Sequence, residues 1–570
     1  MAVYSLRTYL FLGDIMKKVW LKNYEQGVPE EINLDTYESL LDLLDQTFKN
    51  FSSKPAFHCM GTTLTYKEID RLSSHFCAYL QHSLGLKKGD KIALMMPNVL
   101  QYPVALFGSL KAGLVVVNTN PLYTARELEY QLTDSGAKAI LVLSNFAHTV
   151  EAVKDKVDSL EHVIITEMGD LLSFPKSVIV DLVVKHVKKM VPNYSIDHDS
   201  FKQALKEGSR KIPMPVLIDK EDTAFLQYTG GTTGVSKGAI LTHKNILANI
   251  LQAKSWLKNG LEGRGDKQEI IITPLPLYHI FSLTANCFIY SSIGGLNVLI
   301  TNPKDIPGFV KELKKWKMTA FTGLNTLFNA LCNNKDFKDV DFSELKITLG
   351  GGMAVHKAVS QRWLDITGKP IIEAYGLTET SPAACVNPLS NTEFNGYVGL
   401  PLPSTDVSIR DDNFKELAFG EIGEICIKGP QVMKGYYNKE EETSKVLHQG
   451  WLKTGDLGVM TEEGYIKIVD RKKDMIIIFG FNVYPNEIEE VVVKHPKVLE
   501  AGVVGVPDEV RGETIKLFIV KKDESLTEEE ILKHCRENLT AYKVPKQVVF
   551  KKELPKSNVG KILRKDLKNL

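Results

Sequence analysis

Residues 228–243 read YTGGTTGVSKGAILTH, and this run holds the densest set of anion-binding groups in the chain. Gly230, Gly231, Gly234 and Gly238 stand among Thr229, Thr232, Thr233, Ser236 and Lys237. Glycines let backbone N–H groups come close to an anion, hydroxyls add donors, and the lysine adds a charge. The loop is suited to phosphate, with the hydroxyls of Thr229, Thr232 and Thr233 as donors. It is not a Walker A loop, because no Gly-Lys pair is followed by Ser or Thr; Gly560-Lys561 comes nearest and is followed by Ile562. The plain alternative is a glycine-rich surface turn. An apolar run over 223–228 predicts a strand entering the loop. The run 241–251 predicts a helix leaving it, the order in which α/β proteins set anions at strand ends.

Other runs carry chemistry of their own. EAYGLTET, Glu373 to Thr380, offers hydroxyl and carboxylate oxygens of the kind hard cations accept, or else a helix start capped by Thr378. Gly350, Gly351 and Gly352 follow a strand-like run and allow flat contact with a purine, but Val355 stands where a dinucleotide fingerprint needs its last glycine. Asp456 in WLKTGD suits a ribose diol or simply forms a turn. His279 in PLPLYHIF sits beside aromatics, as packed core histidines do. Lys561 lies in PKSNVGKILRK near the end of the chain, where lysines are commonly solvated.

In this order the motifs resemble those of the adenylate-forming enzymes: acyl-CoA synthetases, adenylation domains and luciferases. The resemblance runs from about residue 20 to 568. It implies that Tyr375, with Glu373, Ala374 and Gly376 around it, packs on adenine, that Thr378 meets the α-phosphate, and that Thr229 and Glu379 hold Mg²⁺. It implies that Gly350–Gly352 bound adenine and the acyl channel, that Asp456 and Arg471 contact ribose or phosphate, and that His279 shapes the acyl entrance. Lys561 becomes the catalytic lysine, Asp470 the hinge, and Gly480 with Phe481 the lining of a pantetheine tunnel. Some long-chain relatives carry a gating Trp four residues after the histidine; Leu283 stands there here. MMPNVLQYPVALFGSLKAG, DIPGFVKEL and DRKKDMII bring the chain nearest to the long-chain fatty-acyl-CoA synthetases within that family.

Composition agrees with a large enzyme. The 570 residues carry 70 basic and 69 acidic side chains, a balance that gives no support to nucleic acid as partner. Seven scattered cysteines without a Cys-x-x-Cys pair predict reduced thiols and no zinc site. The apolar run 3–12 is too short to span a bilayer and has its basic pair on the wrong side for a signal peptide; the start is Met1 or Met16. Residues 284–300 read as a buried helix and then a strand. These features predict a cytoplasmic protein. SVIVDLVVKHVKKMV, Ser177 to Val191, reads equally as a basic amphipathic helix lying on the anionic inner membrane face or as a surface helix with its apolar side in the core.

The expected fold is α/β. A large N-terminal lobe, 1–469, has two α/β subdomains and a small β-rich one over 396–469. A mobile α+β C-terminal lobe, 470–570, has a helix starting at Glu528 behind the Thr527/Glu530 capping box. The expected reaction joins a fatty acid to coenzyme A at the expense of ATP, with Mg²⁺, releasing AMP and pyrophosphate. Two other readings stay open: an acyl-AMP ligase serving a carrier protein, and a non-catalytic lipid-binding or uptake partner. A homodimer is also left open.

Overall fold

The computed structural model describes residues 18–229, 236–261, 267–479, 481–508, 511–557 and 560–570. Its strands over 91–95, 115–118, 139–143 and 162–166 are short, nearly all apolar, and buried on both faces. That pattern belongs to parallel strands covered by helices. They form the middle of an eight-stranded sheet, running parallel to one another and to Thr223–Thr229. Flanking helices begin where the sequence caps them. Thr65 and Glu68 close a capping box on Tyr66–His82, and Thr124 and Glu127 do the same for Ala125–Ser135.

A second, nine-stranded sheet is built from Ile270–Thr273, Leu296–Leu299, Ala320–Gly323, Ile347–Gly350, Ile372–Gly376 and their neighbours. The hairpin of Pro55–Cys59 and Thr62–Thr65 joins its far edge, with Pro55–Cys59 parallel to Leu296–Leu299. Helix His243–Leu261 lies against this sheet and buries His243, Asn249 and Trp256. The expected buried helix and strand over 284–300 appear as helical turns from Ile280 to Ser292 and the strand Leu296–Leu299. The β-rich subdomain is a five-stranded sheet holding Asp406–Arg410, Gly423–Lys428, Trp451–Met460 and Ile466–Arg471. The C-terminal sheet pairs Val498–Asp508 antiparallel and Gln547–Lys551 parallel with Gly512–Lys521. Its helix Glu528–Asn538 starts as expected, with the Thr527 side chain accepting from Glu530 N–H.

Two sequence expectations need correction. The phosphate loop does not run from strand to helix. It joins Thr223–Thr229 to an antiparallel strand, Lys237–Thr242, and the helix starts only at His243. Ile240, Leu241 and Thr242 favour extended backbone, and Thr242 and Asn245 cap each other at the strand–helix junction. The second concerns residues 177–191. They form the helix Lys176–Leu182 and a wider turn, Val183–Val187, with no buried side chain. Val178, Ile179, Leu182, Val187 and Met190 are each more than half exposed, so the core-packed reading fails.

The lobes meet at a buried ion network. Asp470 is the penultimate residue of strand Ile466–Arg471, pairs with Leu457, and is fully buried. Its carboxylate accepts from the backbone N–H of Arg471 and Asn486 and from Arg564 Nη1 at 3.0 Å. Arg564 also donates to Glu489, Asp474 and Asn486. Burial raises the Asp470 carboxyl, and the Arg564 guanidinium opposes that rise. Removing the cation strands a buried charge. Arg564→Met should thus lower stability by about 3 kcal/mol, with the loss concentrated in the C-terminal lobe. Hydrogen exchange during urea titration should show residues 472–570 opening first; uniform opening of both lobes would contradict this.

Candidate active site

One cavity of about 2310 Å³ runs from the first sheet, past the β-rich subdomain, to the C-terminal lobe. Ordinary ligand pockets are roughly 300–1,000 Å³, so this space has room for more than one substrate. Among the described residues it gathers Thr229, Lys237, His279, Gly350, Gly351, Gly352, Glu373, Ala374, Tyr375, Gly376, Thr378, Glu379, Asp456, Asp470, Arg471 and Lys561. Gly230, Gly231, Thr232, Thr233, Gly234 and Gly480 lie outside the described residues. Phe481 is not in the cavity. It stands 59% exposed on the hairpin of Ile476–Ile478 and Phe481–Val483, stacked on Tyr542.

Strand ends supply the floor. Gly351 follows the strand Ile347–Gly350, and a Cβ there would press on Phe281 and the Ala374 carbonyl. Gly376 ends the next strand, where a Cβ would sit 1.8 Å from the Pro382 carbonyl oxygen. The approach at Gly376 excludes any larger residue, whereas at Gly351 the neighbours would have to give by a few tenths of an ångström. The single turn Thr378–Thr380 is closed by Thr380 Oγ1, which accepts from Leu377 N–H, so Thr378 is not the cap. Tyr375 donates to Asp456 Oδ2 at 2.8 Å, and Arg471 Nε lies 3.3 Å from Asp456 Oδ1. The aromatic wall and the carboxylate are thereby one rigid unit.

The charged groups are balanced in pairs. The Lys237 ammonium is bonded to Glu442, which also pairs with Lys445 at 2.8 Å. Glu442 thereby neutralises the one ammonium that the strand Lys237–Thr242 brings to the cavity. Tyr436 Oη donates to Glu379 Oε1 at 2.7 Å. Burial, then the Glu379 charge, raises the Tyr436 phenol, which stays an O–H donor. Burial pushes the Glu373 carboxyl up to about 8, so it is largely neutral near pH 7. Burial, then nearby Lys561, lowers His279 to about 4. Its neutral Nδ1 accepts from Phe281 N–H at 3.3 Å, which assigns the ring proton to Nε2.

Lys561 comes from the C-terminal lobe on a turn held by Ser557 N–H to Lys561 O at 2.7 Å and Lys561 N–H to Ser557 Oγ at 3.1 Å. A Cβ on neighbouring Gly560 would meet Thr326 of the large lobe at 2.8 Å. Burial, then Arg471, pulls the Lys561 ammonium down to about 8.

The inner end of the cavity is apolar, lined by Ala253, Trp256, Leu257, Ile271, Ile289, Tyr290 and Ile347. Leu283 is fully buried in the core and does not face the cavity. The position of the family's gating ring is therefore a packing position here.

For Mg²⁺ the fit is good. Among the described residues no cluster of three acidic, His or Cys side chains could hold a metal alone. Among the described residues one Glu379 oxygen is bonded, by Tyr436, and Glu379 lines the cavity together with Thr229 and Lys237. Mg²⁺ commonly binds through one or two carboxylates completed by substrate phosphates and water.

Sequence reasoning passed over Tyr436, Glu442 and Arg564. Tyr436 and Glu442 fall in GYYNKEEET, whose glycine-aromatic start and acidic run look like a surface turn. Arg564 lies in the same quoted run as Lys561, but its carboxylate partners are 75 or more residues away.

Comparison with known proteins agrees with this geometry. Residues 44–437 match the family model described as AMP-binding enzyme, and residues 487–561 match its C-terminal domain. The long-chain-fatty-acid–CoA ligase of Escherichia coli O6:H1 is 55% identical over 555 residues, covering 97% of this chain and 98% of that protein. ATP-bound MatB from Rhodopseudomonas palustris superposes with a TM-score of 0.79 at 27% identity, covering 93% of this chain and 98% of its own. The anthranilate CoA ligase AuaEII, in complex with anthranoyl-AMP, shares the fold with a TM-score of 0.82 at 24% identity over 94% and 98% of the two chains. With both lobes matched and the cavity motifs in place between them, the chain belongs to the AMP-binding, adenylate-forming enzyme family.

Proposed function

We propose that the protein activates long-chain fatty acids as acyl-adenylates and transfers the acyl group to coenzyme A. The observation that carries this reading is the single cavity in which an apolar inner end meets Lys237, Glu379, Asp456 and Lys561. Identity of 55% along nearly the whole length with a long-chain ligase supports the substrate class.

A carboxylate and a triphosphate repel each other, so cations must neutralise both. Lys237 takes the phosphates on release from Glu442. Asp456 and Arg471 hold the ribose, and Tyr375 walls the purine. Thr229 and Glu379 would hold Mg²⁺, which would supply charge neutralisation when bound. The carboxylate oxygen bonds to the α-phosphorus, and the bond from that phosphorus to the bridging oxygen breaks, releasing pyrophosphate. Lys561 stabilises the charge gathered on the phosphoryl oxygens. In the second step the CoA sulfur bonds to the acyl carbon, AMP leaves with the anhydride oxygen, and the thiol proton passes to solvent. The C-terminal lobe turns about Asp470 between steps, a reading supported by Lys561 facing the cavity while Phe481 stands outside it.

Purified protein given ATP, Mg²⁺, CoA and a ladder of fatty acids should yield long-chain acyl-CoA and AMP by mass spectrometry. Acyl transfer only to a carrier protein would establish the acyl-AMP ligase instead, and absence of pyrophosphate release would establish a binding role.

The same reading places the enzyme on the inner membrane face, where its substrate partitions. No described helix is long and apolar enough to cross a membrane. The exposed apolar side chains Phe174, Val178, Ile179, Leu182, Val187 and Met190 stand beside exposed Lys185, Lys188 and Lys189. Apolar insertion with lysines at the headgroups is how interfacial helices bind, each lysine contributing about 1 kcal/mol near an anionic leaflet.

Two predictions follow from these assignments. Lys561 needs its proton to act, and its value near 8 puts the loss of charge above that pH. Fatty-acid-dependent adenylation, followed by pyrophosphate release, should fall as pH rises from 7.5 to 9.5. Bound triphosphate shifts the fall upward. Transfer from supplied acyl-adenylate to CoA should not follow it. Lys561→Ala should lose adenylation by about 100-fold or more near neutral pH, with the gap to the unmodified enzyme narrowing as pH rises, and keep the transfer step. Adenylation that stays flat across this range, or survives in the alanine variant, contradicts the role. For the membrane face, joint replacement of Lys185, Lys188 and Lys189 by Glu should abolish cosedimentation with phosphatidylglycerol vesicles at moderate salt. Turnover of detergent-dispersed fatty acid should stay unchanged. Vesicle binding equal to the unmodified protein would contradict the surface.

A further inference from the structure

Glu379 and Lys237 reach the cavity from different elements, and one side chain touches both. Tyr436 Oη donates to Glu379 Oε1 at 2.7 Å, and the Tyr436 ring centroid lies 5.2 Å from the Lys237 ammonium. We propose that Tyr436 is a positioning residue for the nucleotide step. Its hydroxyl fixes the Glu379 carboxylate so that the second oxygen is presented to the metal–triphosphate, and its ring sets the Lys237 ammonium at the phosphate loop. The proposal rests on Glu379 as the metal ligand.

The backbone around Tyr436 is held too firmly for a casual contact. Strand Gly435–Tyr436 pairs antiparallel with Lys237–Thr242, placing Gly435 opposite Ile240 and Tyr436 opposite Ala239. Lys434 N–H donates to Ile240 O at 3.0 Å and Tyr437 N–H to Gly238 O at 2.8 Å. Tyr436 N–H donates to Thr443 Oγ1 at 2.9 Å. From the same segment Met433 N–H donates to Glu379 O at 2.8 Å. Residues 433–437 thus bind both the strand leaving the phosphate loop and the turn that carries the metal carboxylate. A carboxylate with one oxygen fixed by a phenol loses a rotation it would otherwise have to lose on binding metal. Partners of this kind typically govern metal affinity by 10- to 100-fold. The ring face over Lys237 adds a cation–π contact that remains when Glu442 gives way to phosphate.

The test separates the hydroxyl from the ring. Mn²⁺ binding to the full-length enzyme with a non-hydrolysable ATP analogue is measured by electron paramagnetic resonance, and binding of the analogue without metal by calorimetry. Tyr436→Phe should weaken Mn²⁺ binding on the order of 10-fold and leave metal-free nucleotide binding, the urea midpoint and acyl-adenylate transfer to CoA near those of the unmodified enzyme. Tyr436→Leu should also weaken metal-free nucleotide binding several-fold, through Lys237. Glu379→Gln is the reference for loss of the metal. If Glu379→Gln loses Mn²⁺ while Tyr436→Phe keeps it, Tyr436 only packs and the proposal fails. If Glu379→Gln keeps Mn²⁺, the metal assignment falls and takes the proposal with it.

Discussion

Two anions must be brought into contact, and the molecule is arranged around their repulsion. A fatty carboxylate cannot approach a triphosphate in water without positive charge between them, and a cavity that excludes water strengthens each cation it contains. The cations are supplied already paired. Lys237 rests on Glu442, Arg471 on Asp456, and Arg564 on Asp470 and Glu489. Each partner keeps a buried or half-buried cation from standing alone. Lys561 is different. It is drawn into the cavity by its lobe, near Arg471 and Asp456, with its charge weakened by burial.

This arrangement bears on why Asp470 is so heavily bonded. Asp470 belongs by backbone to the β-rich sheet and by side chain to the C-terminal lobe, through Asn486 N–H and Arg564. The lobe is thereby registered on the cavity while Lys561 faces it. The exposed Phe479 and Phe481 of the adjoining hairpin have no counterpart in the cavity in this arrangement. In the proposed reaction these two surfaces exchange places between the steps, and Asp470 is the residue where backbone and side-chain allegiances divide.

The sequence made the local chemistry readable. Parallel strands such as 139–143 announce themselves as unbroken apolar runs, and the Thr-x-x-Glu pairs mark helix starts. The site motifs were legible because glycine, hydroxyl and charge are concentrated in short windows. What stayed hidden depends on distant pairing. Leu241 and Thr242, the end of the strand Lys237–Thr242, read as the start of the helix because their residue types suit either form, and the strand's partners, Thr223–Thr229 and Gly435–Tyr436, decide the matter. The Pro55–Thr65 hairpin closes a sheet formed by residues more than 200 positions later. Tyr436 and Arg564 gain their meaning only from partners 57 and 94 residues away, Glu379 and Asp470. The segment 177–191 was ambiguous for the opposite reason: an amphipathic pattern states that an apolar face exists, not what covers it.

The central claim is that the cavity alone, with Lys561 docked, completes the first reaction before coenzyme A takes part. Exchange of labelled pyrophosphate into ATP measures this directly. With Mg²⁺ and a long-chain fatty acid but no CoA, the account predicts rapid exchange that vanishes when the fatty acid is withheld. Exchange that requires CoA, or that proceeds equally without fatty acid, would contradict it.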